Sequence, residues 1–229
     1  MAGGKITAYL DCMSPFSYFA LVHLEKNRAV LEAHGIEIDI VPVWLHGIMA
    51  SSGNKPPWSL PIKQRYFNLD TRREQHHFGL PTMTTPSFYP IISLLPQRAL
   101  VYIKSTYPSH YSQVFLDIYA ALFQHHEDVS NPEILSAVLE RSGRFSKEEV
   151  ERVLEKAKSP EVKQKLSENT KEAAEQGAFG CPWFWIRNAR GEEEPVFGSD
   201  RFYYMWEFLG LPWRDVEILP PAQTAKAKI

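Results

Sequence analysis

The sequence contains only two cysteines, Cys12 and Cys181, among its 229 residues. Two thiols this far apart form neither the disulfide framework of a small secreted protein nor a C-x-x-C redox motif nor a zinc knuckle. We therefore expect an intracellular protein with reduced cysteines. We predict no metal site either, because adjacent histidines such as the pairs at 76–77 and 125–126 face different directions on a helix.

The sequence also lacks a long apolar run and an excess of one charge. No segment approaches the roughly 18 to 20 consecutive apolar residues of a membrane span, and residues 1–6 lack the apolar core of a secretory signal. The 25 Lys and Arg residues balance 27 Asp and Glu residues without a long block of either sign. Nucleic acids and anionic membranes are thus not expected partners, and a small molecule is.

Apolar residues, by contrast, are plentiful: 44% of the chain is hydrophobic and 13% is aromatic. This content is enough for a sizeable core in one domain with a large insertion. Residues 5–13 predict a buried strand, Ser14 caps a helix that ends at Gly35, and residues 36–43 predict a second strand. The chain therefore begins as β-α-β.

A helical period replaces the strand pattern after Trp44. Helices are predicted over residues 60–77, 97–106, 109–125, 132–142, 147–157 and 161–176. We assign residues 63–176 to an inserted helical domain, and residues 1–62 together with 177–229 to the sheet domain around it.

The last third of the chain predicts a hairpin and a helix. Two short apolar strands, 183–186 and 195–197, are separated by a turn. Ser199 and Asp200 then precede a helix that continues to Phe208, and we expect them to cap it. The complete order, β-α-β, helices, β-β-α, belongs to the α/β class.

The junction of the first strand and helix is the first candidate binding segment. It contains Ser14-Pro15-Phe16-Ser17, where unpaired N–H groups and the helix dipole favour an anion such as a thiolate. Two serines cannot form a disulfide, but a hydroxyl can donate a hydrogen bond to the sulfur of another molecule. An ordinary helix cap is the structural alternative.

Three further segments offer groups for a ligand. The backbone next to Pro182 could pair with a peptide, and the carboxylate of Asp200 could take an ammonium group. Asn54, with Lys63 soon after it, offers an amide donor and acceptor. Taken singly, the same segments are explained equally well as a turn, a helix cap and a loop.

In this order, the segments resemble the kappa-class glutathione transferases, which share a superfamily with bacterial disulfide oxidases and 2-hydroxychromene-2-carboxylate isomerases. The matching pieces are Ser14-Pro15-Phe16-Ser17, Gly53-Asn54-Lys55-Pro56-Pro57, Gly177-Ala178-Phe179-Gly180 before Pro182, and Phe197-Gly198-Ser199-Asp200-Arg201. The resemblance implies a thioredoxin-like β-α-β / β-β-α fold interrupted by an all-helical inserted domain. It also implies glutathione as cosubstrate and a homodimer.

The resemblance assigns these residues to the glutathione site: Ser14, Pro15, Phe16, Asn54, Lys63, Cys181, Pro182, Ser199 and Asp200. By resemblance, Ser14 contacts the glutathione sulfur and the backbone of Cys181 contacts the cysteinyl unit. Ser199 and Asp200 hold the γ-glutamyl end. Cys181 departs from the family, which usually has an aliphatic residue there, so an inert buried thiol and a mixed disulfide with glutathione both stay open.

The implied activity is activation of the bound glutathione thiol for attack on a small hydrophobic electrophile or a peroxide. A glutathione-dependent 2-hydroxychromene-2-carboxylate isomerase and a non-catalytic glutathione- or peptide-binding scaffold are the alternatives. The family that the chain resembles includes mitochondrial and peroxisomal proteins, and residues 227–229 resemble a peroxisomal signal. A cytoplasmic location is the remaining expectation.

Overall fold

One four-stranded sheet organises the computed structural model, which describes residues 3–214. Its strands are β1 (Gly4–Leu10), β2 (Ile36–Pro42), β3 (Trp183–Asn188) and β4 (Glu193–Phe197), in the order β2-β1-β3-β4. β1 and β2 are parallel, whereas β3 is antiparallel to both β1 and β4. The predicted β-α-β and β-β-α units of a thioredoxin-like sheet are confirmed.

Helix α1 (Pro15–Ala33) connects β1 to β2, and α9 (Phe202–Phe208) follows β4. The intervening helices are α2 (Leu45–Ser52), α3 (Pro61–His77), α4 (Leu94–Thr106), α5 (Pro108–Phe123), α6 (Pro132–Arg141), α7 (Lys147–Lys156) and α8 (Pro160–Glu175). They form the helical insertion between β2 and β3, and α4 and α8 pack against β2. Within residues 3–214, no helix combines the length and apolar character that crossing a bilayer requires.

The predicted tripeptide at 227–229 lies outside the described residues, as does the end of the proposed 177–229 segment. The division at 62/63 stays a prediction.

The first strand is shorter than predicted, because it ends at Leu10 rather than at residue 13. Asp11 is completely buried, and its Oδ1 accepts a hydrogen bond from the Met13 N–H at 2.8 Å, which turns the chain out of the sheet. The other oxygen accepts from the Leu45 N–H at 2.7 Å and from the Ser93 hydroxyl at 2.8 Å. One carboxylate therefore joins the end of β1 to the start of α2 and to the segment before α4.

Helix α2 was not predicted from the sequence. Its eight residues include Gly47, Ser51 and Ser52, which have modest or poor helix propensity. Tertiary contacts compensate: Asp11 accepts the first N–H of the helix, and Gly53 ends it in the left-handed conformation with φ of 71°.

The prediction that Ser199 and Asp200 cap the last helix was wrong. The N-cap position is Arg201, whose side chain makes no capping hydrogen bond. The Ser199 hydroxyl instead donates to Glu74 of α3 at 2.9 Å, and Asp200 pairs with Arg201 at 3.0 Å. A partner 125 residues away in the sequence has replaced the local cap.

An aromatic cluster holds α1 against α3 and α9. The His23 ring centroid lies 4.2 Å from that of Phe202 and 5.4 Å from that of Phe78. Burial in this cluster, followed by the neighbouring charge of His77, lowers the pKa of His23 to about 4. The fold therefore holds this imidazole neutral.

We expect His23 to make the fold sensitive to acid. The unfolded chain takes up a proton near pH 6.5, whereas the folded chain does so only near pH 4. The stabilisation is complete above pH 6.5 and is lost as the pH falls from 6.5 to about 4, by up to about 3 kcal/mol. Urea unfolding at several pH values should show a shallower acid loss for His23→Phe than for the parent. Parallel stability curves would contradict the prediction.

Candidate functional site

The candidate site forms where the N-terminus of α1 meets the turn before β3. The Ser14 hydroxyl donates a hydrogen bond to the carbonyl oxygen of Cys181 at 3.0 Å and accepts one from the Ser17 N–H at 3.2 Å. The Cys181-Pro182 peptide bond is cis. Two segments separated by 167 residues are thus in direct contact through the serine hydroxyl.

A cavity of about 250 Å³, here called the acidic cavity, lies beside this contact. It is lined by Phe16, Tyr66, Asp70, Glu74, Cys181, Pro182, Phe197, Gly198, Ser199, Asp200 and Arg201. The structure therefore brings together residues from three of the four segments that the sequence analysis selected. Their contacts with a ligand stay a prediction.

Helix α3 supplies lining residues that the sequence analysis missed. Tyr66, Asp70 and Glu74 are spaced by four residues, so they share one face of α3, and that face is directed toward the cavity. The spacing was readable from the sequence. It was not distinctive, because polar residues at this spacing also occur on helix faces that meet only solvent.

Negative charge dominates the acidic cavity. Its wall contains the carboxylates of Asp70, Glu74 and Asp200 against the single guanidinium of Arg201. The Arg201 guanidinium already has acceptors within the protein, since it donates to Asp200 at 3.0 Å and to the carbonyl of Phe197 at 2.9 Å. A cationic group of a ligand would be favoured here.

Glu74 is the half-buried carboxylate of this wall. Burial raises the pKa of Glu74, the hydrogen bond from Ser199 opposes that rise, and the charges of Asp200 and Asp70 add to it. Because the Ser199 hydroxyl donates its hydrogen bond to Glu74, its oxygen retains lone pairs that can accept one. Both side chains can therefore accept hydrogen bonds from an ammonium.

Asn54 and Lys63 do not line the acidic cavity. The Asn54 amide donates to the carbonyl of Phe179 at 2.7 Å, so it holds the segment just before Cys181. Its carbonyl oxygen accepts from the Lys55 N–H at 2.8 Å. Asn54 therefore reaches the site through the Phe179 backbone.

Lys63 lies on a second cavity of about 420 Å³, here called the apolar cavity, which is lined by Phe16, Pro57, Ile62, Lys63, Tyr66, Phe67 and Asp70. It shares Phe16, Tyr66 and Asp70 with the acidic cavity. Phe16 follows Ser14 by two residues, so the N-terminus of α1 lies beside both spaces. The apolar cavity could hold a hydrophobic group close to whatever the acidic cavity holds.

Neither cysteine is an activated nucleophile. Burial, reinforced by the nearby charge of Asp11, raises the pKa of both the Cys12 and the Cys181 thiols well above the ordinary value. A thiol of this kind is largely protonated at neutral pH and reacts slowly. At neutral pH neither thiol therefore supplies a thiolate nucleophile at the candidate site.

The fold and parts of the sequence match proteins that are already known. A protein of Homo sapiens named glutathione S-transferase kappa 1 is 29% identical over 225 residues, which are 96% of this chain and 96% of that protein. The structure of 2-hydroxychromene-2-carboxylate isomerase has a TM-score of 0.72 at 22% identity and covers 90% of this chain and 94% of its own. At this identity the likeness shows the fold alone.

Another solved structure of the same fold is the cytosolic disulfide reductase DsbM from Pseudomonas aeruginosa with GSH. Its TM-score is 0.57 at 14% identity, with coverage of 87% of this chain and 91% of that one. The model of the DsbA-like thioredoxin domain family matches residues 5–209. Since that match includes most of the chain, from β1 to the end of α9, the protein belongs to the DsbA-like thioredoxin domain family.

Proposed function

We propose that this protein is a glutathione transferase of the kappa type, which activates the thiol of bound glutathione for attack on an electrophile or a peroxide. The observation that carries the proposal is the Ser14 hydroxyl at the N-terminus of α1, 3.0 Å from the carbonyl of Cys181. A serine there can stabilise a sulfur anion but cannot supply one. The likeness to glutathione S-transferase kappa 1 supports the proposal.

In this proposal the tripeptide lies across the cis-proline turn. Its cysteinyl unit pairs with the backbone of Cys181, as the resemblance implies, and its γ-glutamyl end enters the acidic cavity. The γ-glutamyl ammonium then donates hydrogen bonds to Glu74 and Ser199, which both line the cavity. The electrophile occupies the apolar cavity, beside Phe16.

Glutathione binding must change the acceptor to which the Ser14 hydroxyl donates its hydrogen bond. Ser14 has one hydroxyl hydrogen, and without ligand it is donated to the Cys181 carbonyl. We infer that the cysteinyl N–H of glutathione replaces the hydroxyl as donor to this carbonyl. The Ser14 hydroxyl can then donate to the sulfur, while the thiol proton leaves to solvent and the Ser17 N–H continues to donate to Ser14.

This hydrogen bond is strong enough to change the ionised fraction of the bound thiol at neutral pH. A free thiol with a pKa of about 8.5 is about 3% ionised at pH 7. One hydrogen bond to a charged sulfur contributes roughly 1.5 to 3 kcal/mol, which lowers the thiol pKa by about one to two units. At two units, about three quarters of the bound glutathione is thiolate at pH 7. The N-terminus of α1 adds a smaller stabilisation.

Calorimetric titration with glutathione tests binding. Assays of conjugation to chlorodinitrobenzene, of chromene-carboxylate isomerisation and of insulin reduction then test which reaction the protein catalyses. We expect glutathione binding and conjugation. No detectable binding at millimolar glutathione would favour the scaffold alternative, and isomerisation without conjugation would favour the isomerase.

Ser14→Ala should lower turnover and move the midpoint of the pH–activity profile upward by about one to two units, because the thiolate loses its hydrogen bond. Glutathione should still bind. Ser17→Ala is the matched control: it keeps the backbone N–H that donates to Ser14 and removes only a hydroxyl that does not contact Ser14, so the midpoint should stay in place. If Ser14→Ala and the parent share one pH profile, Ser14 does not act on the sulfur.

Glu74→Gln should weaken glutathione binding about tenfold, since it removes a half-buried charge opposite the ammonium while keeping the shape of the side chain. Turnover at saturating glutathione should stay nearly unchanged. A glutathione analogue without the α-ammonium should bind the variant and the parent equally. Glu155→Gln, the same change on the exposed face of α7, is the control. Equal calorimetric affinities of Glu74→Gln and the parent for glutathione would refute this role.

A further inference from the structure

A separate cavity of about 440 Å³, here called the basic cavity, lies between α2, α4 and α8. It is lined by Trp44, Gly47, Ser51, Leu94, Arg98, Lys163, Leu166, Ser167, Thr170, Lys171 and Ala174. None of these residues lines the acidic or the apolar cavity. The basic cavity is therefore distinct from the candidate glutathione site.

The lining of the basic cavity divides into an apolar part and a cationic part. Trp44, Leu94 and Leu166 belong to a small apolar cluster between α4 and α8. Arg98 and Lys163 contribute positive charge, and no carboxylate is among the lining residues. Such a wall matches a ligand that has an apolar body and a negative group.

Two donors of this lining have no acceptor. The indole Nε1 of Trp44 and the Nε of Arg98 are out of contact with solvent, and neither has a hydrogen-bond partner within residues 3–214. Arg98 also takes part in none of the ion pairs found in that part of the chain. Because solvent reaches neither atom, a ligand in the cavity can contact Arg98 only through the terminal nitrogens of its guanidinium.

Close packing of α2 against α8 fixes the indole in the wall. A Cβ atom added at Gly47 would lie 2.9 Å from Cε3 of Trp44 and 3.0 Å from Cγ2 of Thr170, so only glycine permits this approach. The backbone N–H of Trp44 also donates to the Thr170 hydroxyl at 2.9 Å. The indole is thus held by the backbone and by the packing of the two helices.

We propose that the basic cavity binds a small organic anion with a flat apolar body, such as an aromatic carboxylate or sulfonate. The anionic oxygens accept hydrogen bonds from the terminal nitrogens of the Arg98 guanidinium, and Lys163 adds charge at the rim. The apolar body lies on Leu94 and Leu166. A single negative charge is favoured over several, because Lys171 is partly neutralised by Glu175 at 3.5 Å.

A pair of fluorescent probes tests the proposal on the full-length protein. Anilinonaphthalene sulfonate carries one negative charge, and phenylnaphthylamine has the same rings without it. We expect the sulfonate to bind at least about tenfold more tightly than the neutral probe. Arg98→Gln should weaken sulfonate binding about tenfold.

Lysines on α8 provide the matched control. Lys163→Gln should weaken sulfonate binding about threefold, whereas Lys165→Gln, which removes the same charge from the same helix outside the cavity, should leave it unchanged. Equal effects of the two lysine changes would mean unspecific attraction and would overturn the proposal. Equal affinity for the two probes would do so as well.

Circular dichroism shows whether Arg98→Gln folds. If it does not, Arg98→Lys replaces it, since it keeps the charge and removes the planar guanidinium with its paired donors. We expect a loss of sulfonate affinity of about threefold for this variant. An affinity equal to that of the parent would show that the guanidinium has no specific role in anion binding and would refute the proposal.

Discussion

The buried carboxylate of Asp11 is the constraint on which the geometry of the candidate site depends. It accepts hydrogen bonds from Met13, Leu45 and Ser93, and its burial would be costly without them. Its own carbonyl accepts the N–H of Ser14 at 2.9 Å. The N-cap residue of α1 is therefore positioned by the backbone of Asp11, whose carboxylate also positions α2. The sheet and the helices that follow β2 therefore meet at Asp11, three residues before Ser14.

Gln97 of α4 reinforces the same junction. It is completely buried, its amide donates to the carbonyls of Leu10 and Val43, and its oxygen accepts from the Cys12 N–H. These bonds add to the backbone bond from the Val43 N–H to the Leu10 carbonyl at 3.1 Å, so the ends of β1 and β2 are fixed to each other and to α4. The insertion is thus part of the support of the site, because a residue of α4 completes the hydrogen bonding of the strand that leads to Ser14.

The elements predicted correctly from the sequence depend on neighbours along the chain. Ser14 caps α1 through the Ser17 N–H, and the hairpin of β3 and β4 follows from two apolar runs around a turn. The errors arose where a distant side chain decides the outcome. The end of β1 and the start of α2 depend on Asp11, and the Ser199 hydroxyl is taken by Glu74.

The candidate site was predicted in part for the same reason. The resemblance selected segments whose residues meet at the acidic cavity, among them Phe16, Pro182 and Ser199. It did not select Glu74 or Tyr66, which reach the cavity only because α3 packs across the N-terminus of α1. Helix packing of this kind leaves no local signal in a single sequence.

Helix α3 also contributes to both neighbouring cavities, since Tyr66 and Asp70 line each of them. In the proposed function, the group that donates to the glutathione sulfur is the Ser14 hydroxyl, which lies at the junction of β1 and α1. Reactivity and selectivity would then depend on different parts of the chain. Substitutions along one face of α3 would change which molecules are accepted while Ser14 stays as it is, so an enzyme of this design would diversify its substrates without rebuilding its chemistry.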